Sequence, residues 1–160
     1  MICLCTILIG CQNPFAPKLD YTETGNDSPI SDQSTVDGVF INMRYAYTFK
    51  DTSIYGQILS DDFIFTYRNY DLGFDVSWGR EEEMKVTYGL FNNCERLDLT
   101  WNQDILSTID SLSGSIVKSF NLTITFNPSD VIVVDGRVNL NLDKKSGKWK
   151  INRWIDESNF

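Results

Sequence analysis

Apolar residues recur along the chain with two different periods, and the change of period separates a helical part from a strand part. Between Val36 and Lys50 they return every three or four positions, which is the stripe of an amphipathic helix. A second, short helix is predicted from Ser53 to Leu59, with Ser53 as its N-cap. A third helix is predicted to begin after Ser77, which can cap it. The apolar residues expected on the buried side of this third helix are Met84, Tyr88 and Phe91.

In the rest of the chain apolar and polar residues alternate, which is the two-residue period of half-buried strands. The alternating segments are 63–68, 97–101, 116–126, 132–142 and 149–153. Residues 69–76 are expected to form a loop or a short irregular strand. Ser146–Gly147 is the turn predicted before the last strand, on which Ile151 and Arg153 are expected to share a face. Asp135–Gly136 is interpreted as a kink within one strand, because the apolar residues on both sides of it keep one parity.

The first ten residues are almost wholly apolar, and they are too few to span a bilayer, which needs roughly 20 such residues. Their length is that of the apolar part of a signal peptide. They lead into Leu8-Ile9-Gly10-Cys11, which resembles the bacterial lipobox. In that motif the Cys thiol receives a diacylglyceryl group, and the chain is cut just before the Cys. The alternative is an apolar N-terminus that contains a Cys by chance.

The resemblance to the lipobox implies a division of the chain into three parts. Residues 1–10 would be a lipoprotein signal peptide, and Cys11 would anchor the protein to the membrane of the bacterial cell envelope, with the domain outside the cytoplasm. The residues up to position 34 lack periodicity and are rich in Pro, Gly, Asp, Asn, Ser and Thr, so 11–34 is expected to be the lipidated Cys and a flexible tether. The range 35–160 has room for one domain, and a chain that starts near Thr35 is expected to fold by itself.

Composition narrows the chemistry that the domain can perform. The sequence contains no His, which excludes Ser–His and Cys–His nucleophiles. The 14 Lys and Arg residues against 22 Asp and Glu residues give a net charge of -8, which disfavours nucleic acid as a partner. Cys94 is expected to be a small buried residue at a helix end, without a disulfide. Asp61–Asp62 lacks a third carboxylate nearby, so no metal site and no cofactor is indicated.

The order of two helices, a strand, a third helix and then long strands resembles the nuclear transport factor 2-like (SnoaL-like) superfamily, and in particular its uncharacterised bacterial lipoproteins. The segments that carry the resemblance are Tyr45 to Tyr47 through Asp51 and Tyr55, Leu59 to Phe65, Trp78 with Glu81 to Glu83 ahead of Leu90-Phe91, and Gly147 to Ile151 with Trp154 and Asp156. The resemblance implies an α+β fold in which a curved antiparallel sheet packs on about three N-terminal helices to form a cone. It leaves the function open, because this fold hosts isomerases, dehydratases, carriers and association domains.

The superfamily's enzymes work in the pocket between sheet and helices, and several aromatic residues are candidates to line that pocket here. These candidates are Tyr67, Trp78, Tyr88 and Trp101. Asp98 is the strand carboxylate most closely flanked by apolar residues, but alternation turns it to the face opposite Leu97 and Leu99. Asp98 is therefore expected to be solvated, and no catalytic residue is assigned.

These patterns favour a non-catalytic, envelope-anchored domain that binds a small apolar ligand or a protein partner. Two alternatives stay open: an enzyme of isomerase or dehydratase type that uses a buried carboxylate, and a structural homodimer that pairs through the exposed face of the sheet. The content of the cone would discriminate among them. A sealed, aromatic-filled cone favours association, whereas an open cavity with an inward carboxylate favours a carrier or an enzyme.

Overall fold

A computed structural model describes residues 29–159, in which three helices pack against one face of a six-stranded sheet. The helices are α1 (Val36–Phe49), α2 (Thr52–Ile58) and α3 (Arg80–Asn93). The strands are β1 (Leu59–Asn69), β2 (Phe74–Gly79), β3 (Arg96–Ile109), β4 (Ser113–Asn127), β5 (Asp130–Lys145) and β6 (Lys148–Asn159). None of the helices within 29–159 has the length and apolar character that crossing a membrane requires.

The strands lie in the order β2-β1-β6-β5-β4-β3. The chain leaves β2 through α3, reaches the far edge at β3 and returns one strand at a time to the middle of the sheet. β6 thereby arrives beside β1 in the same direction, so this pair is parallel while the other four pairs are antiparallel. The α+β cone predicted from the sequence is confirmed, but the sheet is mixed rather than wholly antiparallel.

The helix α1 follows the predicted apolar stripe, and α2 lies where it is predicted but has a different N-cap. Lys50 ends α1 in the left-handed conformation, and its N–H bonds back to the last turn of the helix. This tight turn puts Asp51 in extended backbone directly before α2, where Oδ1 of Asp51 accepts from the N–H groups of Ser53 and Ile54 at 2.9 and 3.0 Å. The predicted cap, Ser53, is therefore wrong, because a carboxylate two residues earlier reaches the same free N–H groups.

The third helix buries a face that only partly matches the prediction: Phe91 is buried and Met84 is partly buried as expected, but Tyr88 is not. Its buried residues are Glu83, Thr87 and Phe91, whereas Tyr88 is 61% exposed. The apolar pattern missed this stripe because two of its members are polar. Ser77 does not cap the helix either: it belongs to β2, where its hydroxyl lies 2.8 Å from that of Thr66 on β1. The predicted helix end is confirmed, and Cys94, the residue that follows, is buried with a free thiol.

The long strands confirm two predicted features and correct a third. Asp135–Gly136 lies inside the single strand β5, and Ser146–Gly147 forms the turn to β6 with positive φ at both residues. The ladder between β5 and β6 shifts by one residue just after Ile151. As a result Arg153 points outward and Trp154 is buried, so the shared face predicted for Ile151 and Arg153 is wrong beyond the shift.

The described part of the predicted tether, residues 29–34, packs on the domain. Gln33 is only 3% exposed; its carbonyl oxygen accepts from the N–H of Trp149 at 2.8 Å, and its Nε2 donates to the carbonyl of Trp149 at 2.9 Å. Ser31 exchanges two hydrogen bonds with the amide of Asn42 in α1. The packed structure therefore begins upstream of the predicted boundary at Thr35. The predicted signal peptide, Cys11 and the rest of the tether lie outside the described residues.

Candidate functional site

The concave face of the sheet and the helices enclose a cavity of about 810 Å³ that reaches the surface. Side chains from α1, α3 and all six strands line it. Most of the lining is apolar, and the volume falls in the range of about 300–1,000 Å³ that is usual for small-molecule sites. The cone is thus an open cavity and is not filled by its own aromatic side chains.

Three aromatic side chains on neighbouring strands form one wall of the cavity. Phe65 on β1 is the register partner of both Trp78 on β2 and Trp154 on β6, so the three rings lie side by side on the concave face. The rings of Phe65 and Trp78 stack with centroids 4.6 Å apart, and those of Phe65 and Trp154 are 5.7 Å apart. Tyr67 extends this wall, with its ring 5.4 Å from that of Trp78. We call these four residues the aromatic wall.

Trp101 belongs to the opposite side of the cavity. Its ring meets Phe40 of α1 edge to face at 5.0 Å and lies 6.1 Å from that of Phe120. Its indole N–H donates to the carbonyl of Phe40 at 3.2 Å, which fixes the orientation of the ring. The two aromatic regions line the same cavity, although the strands β1 and β3 that carry them are far apart in the strand order.

A carboxylate lies among the cavity-lining residues of α3. Glu83 is 5% exposed and accepts three hydrogen bonds: from the hydroxyl of Tyr55 to Oε1 at 2.6 Å, from the indole N–H of Trp78 to Oε2 at 2.7 Å, and from the hydroxyl of Thr87 to Oε1 at 3.2 Å. All three donors are neutral, and no Lys or Arg among residues 29–159 pairs with it. Glu83 is therefore held in place by hydrogen bonds while its charge is not neutralised.

A second carboxylate, that of Asp156 on β6, also lines the cavity. Burial raises the pKa of the Tyr47 hydroxyl, and the negative charges of Glu83 and Asp156 raise this pKa further. The pKa of Tyr55 is raised in the same way, first by burial and then by Glu83. Both phenols therefore stay protonated at neutral pH.

The rim of the cavity is formed by the β1–β2 hairpin and the end of β6. Arg68 is the only cationic side chain in the described lining, and its guanidinium is bonded to the carboxylate of Asp75 at 3.0 Å and to the carbonyl of Gly73 at 2.7 Å. Asp71 and Glu157 add two carboxylates at this rim. The charged groups of the lining are therefore mostly negative from the rim to the inner end.

Comparison with solved structures identifies the fold. Kfla4162 from Kribbella flavida superimposes with a TM-score of 0.68 at 10% identity, over 81% of this chain and 91% of that one. A scytalone dehydratase-like protein from Novosphingobium aromaticivorans gives 0.68 at 11%, over 78% and 82%. LinA gives 0.64 at 11%, over 78% and 84%. The chain has the nuclear transport factor 2-like fold. No family model and no curated protein sequence matches the chain.

Within the nuclear transport factor 2-like cone, three of the four predicted pocket residues line the cavity. They are Tyr67, Trp78 and Trp101. The fourth, Tyr88, lies on the outer side of α3 in a separate surface depression, beside Arg80 and Met84. The reason is the orientation of α3: Thr87 faces the cavity, and the next residue along a helix is turned away from it by about 100°.

The strand carboxylate considered from the sequence is not part of the site. Asp98 is 42% exposed and pairs with Arg96 at 2.8 Å, on the face opposite the buried Leu97 and Leu99, as alternation predicts. Glu83 and Asp156 were not predicted as site residues. Glu83 is one of three consecutive Glu residues, so its residue type alone does not distinguish it from its exposed neighbours. Its spacing of four to Thr87 and eight to Phe91 is nevertheless a helical signal. The face on which Asp156 lies could not be predicted because of the register shift in β6.

The hydrogen bonds of Glu83 limit its use as a general base. A general base needs a free lone pair within hydrogen-bond reach of the substrate proton. Glu83 already accepts three hydrogen bonds and is only 5% exposed, so little of its carboxylate is open to a substrate proton. Among residues 29–159 no three Cys, Asp or Glu side chains come together as a metal would require.

Proposed function

We propose that the domain is a binding protein that holds a small, mostly apolar ligand in its cone cavity without changing it chemically. The observation that carries this proposal is the cavity of about 810 Å³ with a mostly apolar lining, in which the aromatic side chains of Phe65, Tyr67 and Trp78 are only partly buried. Burying such rings provides much of the affinity in small-molecule sites, and the few polar groups then fix the orientation.

An enzyme that uses the same cavity is the second candidate. The observation in its favour is the presence of two carboxylates, Glu83 and Asp156, in the lining. The fold is shared with a scytalone dehydratase-like protein, but at 11% identity that likeness extends to the fold alone. We favour the binding protein because Glu83 is bonded to three donors and the sequence offers no His.

We further propose that a lipid on Cys11 anchors this binding protein to the bacterial cell envelope. The support is the run Leu8-Ile9-Gly10-Cys11 and the polar, proline-containing segment behind it. Such an anchor would keep the cavity outside the cytoplasm, where the domain could capture a ligand near the membrane. Pairing of two copies through the outer face of the sheet also stays a prediction; exposed Val131 and Val133 on that face are consistent with it.

The binding proposal is tested with a neutral fluorescent probe, N-phenyl-1-naphthylamine, and two variants of the sheet. Leu122→Trp adds a ring inside the cavity, and Val133→Trp adds the same ring to the outer face. We expect saturable binding of one probe per chain, weakened about tenfold or more by Leu122→Trp and unchanged by Val133→Trp. Both variants should unfold cooperatively. Equal binding to all three proteins, or no saturable binding to any, would contradict the proposal.

A further inference from the structure

We propose that the ligand is an organic cation: a flat, apolar body that carries a quaternary ammonium or a comparable positive group. This assignment names the ligand class for the cavity and rests on the proposed binding function. It follows from two features that meet at Trp78, namely the aromatic wall and the buried carboxylate of Glu83.

The first feature is the balance of charge in the cavity. The described lining contains the carboxylates of Asp71, Glu83, Asp156 and Glu157 and a single cation, Arg68. Arg68 is already engaged by Asp75 outside the cavity. Glu157 is 3.5 Å from Arg137, so the charge that matters most for the interior is that of the buried Glu83. Since charges interact more strongly away from bulk water, this interior attracts a cation and repels an anion.

The second feature is the buried charge that lacks a cationic partner in the protein. Buried carboxylates are normally paired with a cation or a metal. Glu83 has only the neutral donors Tyr55, Trp78 and Thr87, and no cation pairs with it anywhere in residues 29–159. Burial raises the pKa of the Tyr47 hydroxyl, which lines the same cavity, and the charge of Glu83 raises this pKa further. A positive group on a ligand would supply the missing partner.

The aromatic wall provides the surface on which such a cation can lie. Positive groups bind over the electron-rich faces of Trp and Tyr rings, within about 6 Å of the centroid, and quaternary ammonium groups do so in aromatic cages. Trp78 is particularly suited, because its N–H bonds to the anionic Oε2 of Glu83 and the ring thereby gains electron density. A cation over Trp78 would be near both a ring face and a carboxylate. Phe65, Tyr67 and Trp154 would cover the apolar body of the ligand.

The experiment uses naphthyl probes of different charge, of which the cationic and the neutral one have the same shape. Calorimetric titrations of the wild-type protein compare (2-naphthylmethyl)trimethylammonium with its neutral isostere 2-neopentylnaphthalene and with the anion 2-naphthylacetate. We expect the cation to bind about tenfold or more tightly than the neutral isostere, and the anion to bind most weakly. If the neutral isostere or the anion binds as tightly as the cation, the cationic ligand class is wrong and the binding function still stands. If none of the three binds saturably, the binding function itself fails.

Variants of the carboxylates then test their role. Glu83→Gln and, independently, Asp156→Asn should each reduce the affinity for the cation severalfold and leave that for the neutral isostere unchanged. Glu82→Gln is the matched control, because Glu82 is the neighbouring residue on the exposed side of α3, where it pairs with Lys85. Asp156→Asn keeps the test valid if Glu83→Gln fails to fold. A preference for the cation that survives both inner substitutions, or that falls equally with Glu82→Gln, would overturn the inference.

Discussion

The indole N–H of Trp78 donates to Oε2 of Glu83 at 2.7 Å, and this bond joins β2 to the first turn of α3 inside the cavity. The hydroxyl of Tyr55, at 2.6 Å from Oε1, adds α2 to the same carboxylate. One side chain therefore connects three elements of the cone and at the same time adds a buried carboxylate to the cavity. Glu83 is expected to matter for both stability and ligand choice.

Replacing Glu83 by Ala should destabilise the fold by about 2–4 kcal/mol, because the buried donors of Tyr55 and Trp78 lose their acceptor. The free energy of unfolding, measured in urea, checks this. Glu82→Ala on the exposed side of the same helix should change it by less than about 0.5 kcal/mol. Equal effects of the two substitutions would mean that the hydrogen bonds to Glu83 do not stabilise the fold.

The segment before α1 should also contribute to stability. Gln33→Ala removes the buried side-chain bond to the carbonyl of Trp149 and should cost about 1–3 kcal/mol. A chain that starts at Thr35 should lose at least as much relative to one that starts at Pro29, as measured by denaturant unfolding. Ser34→Ala is the control, since Ser34 is exposed. Identical stability of the two shortened chains would restore the domain boundary predicted from the sequence.

Several failures of the sequence analysis have one physical origin. Periodicity identifies elements by their apolar residues, so it found α1, the strands and the kink at Asp135–Gly136. It could not place Glu83, Thr87 or Gln33, because these polar residues are buried by hydrogen bonds that only the tertiary structure supplies. Because Thr87 takes the buried side of α3, Tyr88 is turned away from the predicted pocket.

The register of the sheet explains why Asp156 was missed as a site residue. Tyr67, Trp78 and Trp101 can be predicted as pocket residues because they are large aromatic residues in a chain that resembles a superfamily with a pocket between sheet and helices. Strict alternation from Ile151 would turn Asp156 away from the cavity, and the register shift after Ile151 reverses this. Such shifts have no reliable signal in a single sequence.

The raised pKa of Tyr47 makes stability depend on pH in the alkaline range. Its folded-state pKa lies above the ordinary value of 10, so its contribution is complete below pH 10 and is lost as the pH rises above it. Wild-type protein should therefore lose stability relative to Tyr47→Phe by about 1.4 kcal/mol per pH unit above pH 10. Urea unfolding from pH 8 to 11 measures this difference. The control Tyr70→Phe, at an exposed position, should parallel the wild type, and a flat difference for Tyr47→Phe would refute the prediction.

The proposed anchor predicts where the protein is found in the cell. Cys11→Ser should move the full chain from the membrane fraction to the soluble fraction, because the acylated thiol is lost, and it should leave thermal unfolding of the domain unchanged. Fractionation followed by mass spectrometry of the N-terminal peptide measures both the location and the lipid. Cys94→Ser is the control, since this thiol is buried in the domain. Retention of the Cys11→Ser protein in the membrane fraction would show that another part of the chain anchors it.

The central claim is that a small apolar molecule enters the cone, and methyl NMR locates such a molecule most directly. Val134 and Val138 of β5 line the cavity, whereas Val131 and Val133 of the same strand are exposed. With ¹³C-methyl-labelled protein and N-phenyl-1-naphthylamine, we predict intermolecular nuclear Overhauser effects and ring-current shifts at Val134 and Val138 and none at Val131 and Val133. Contacts at Val131 and Val133 alone, or no contacts at any of the four, would contradict the claim.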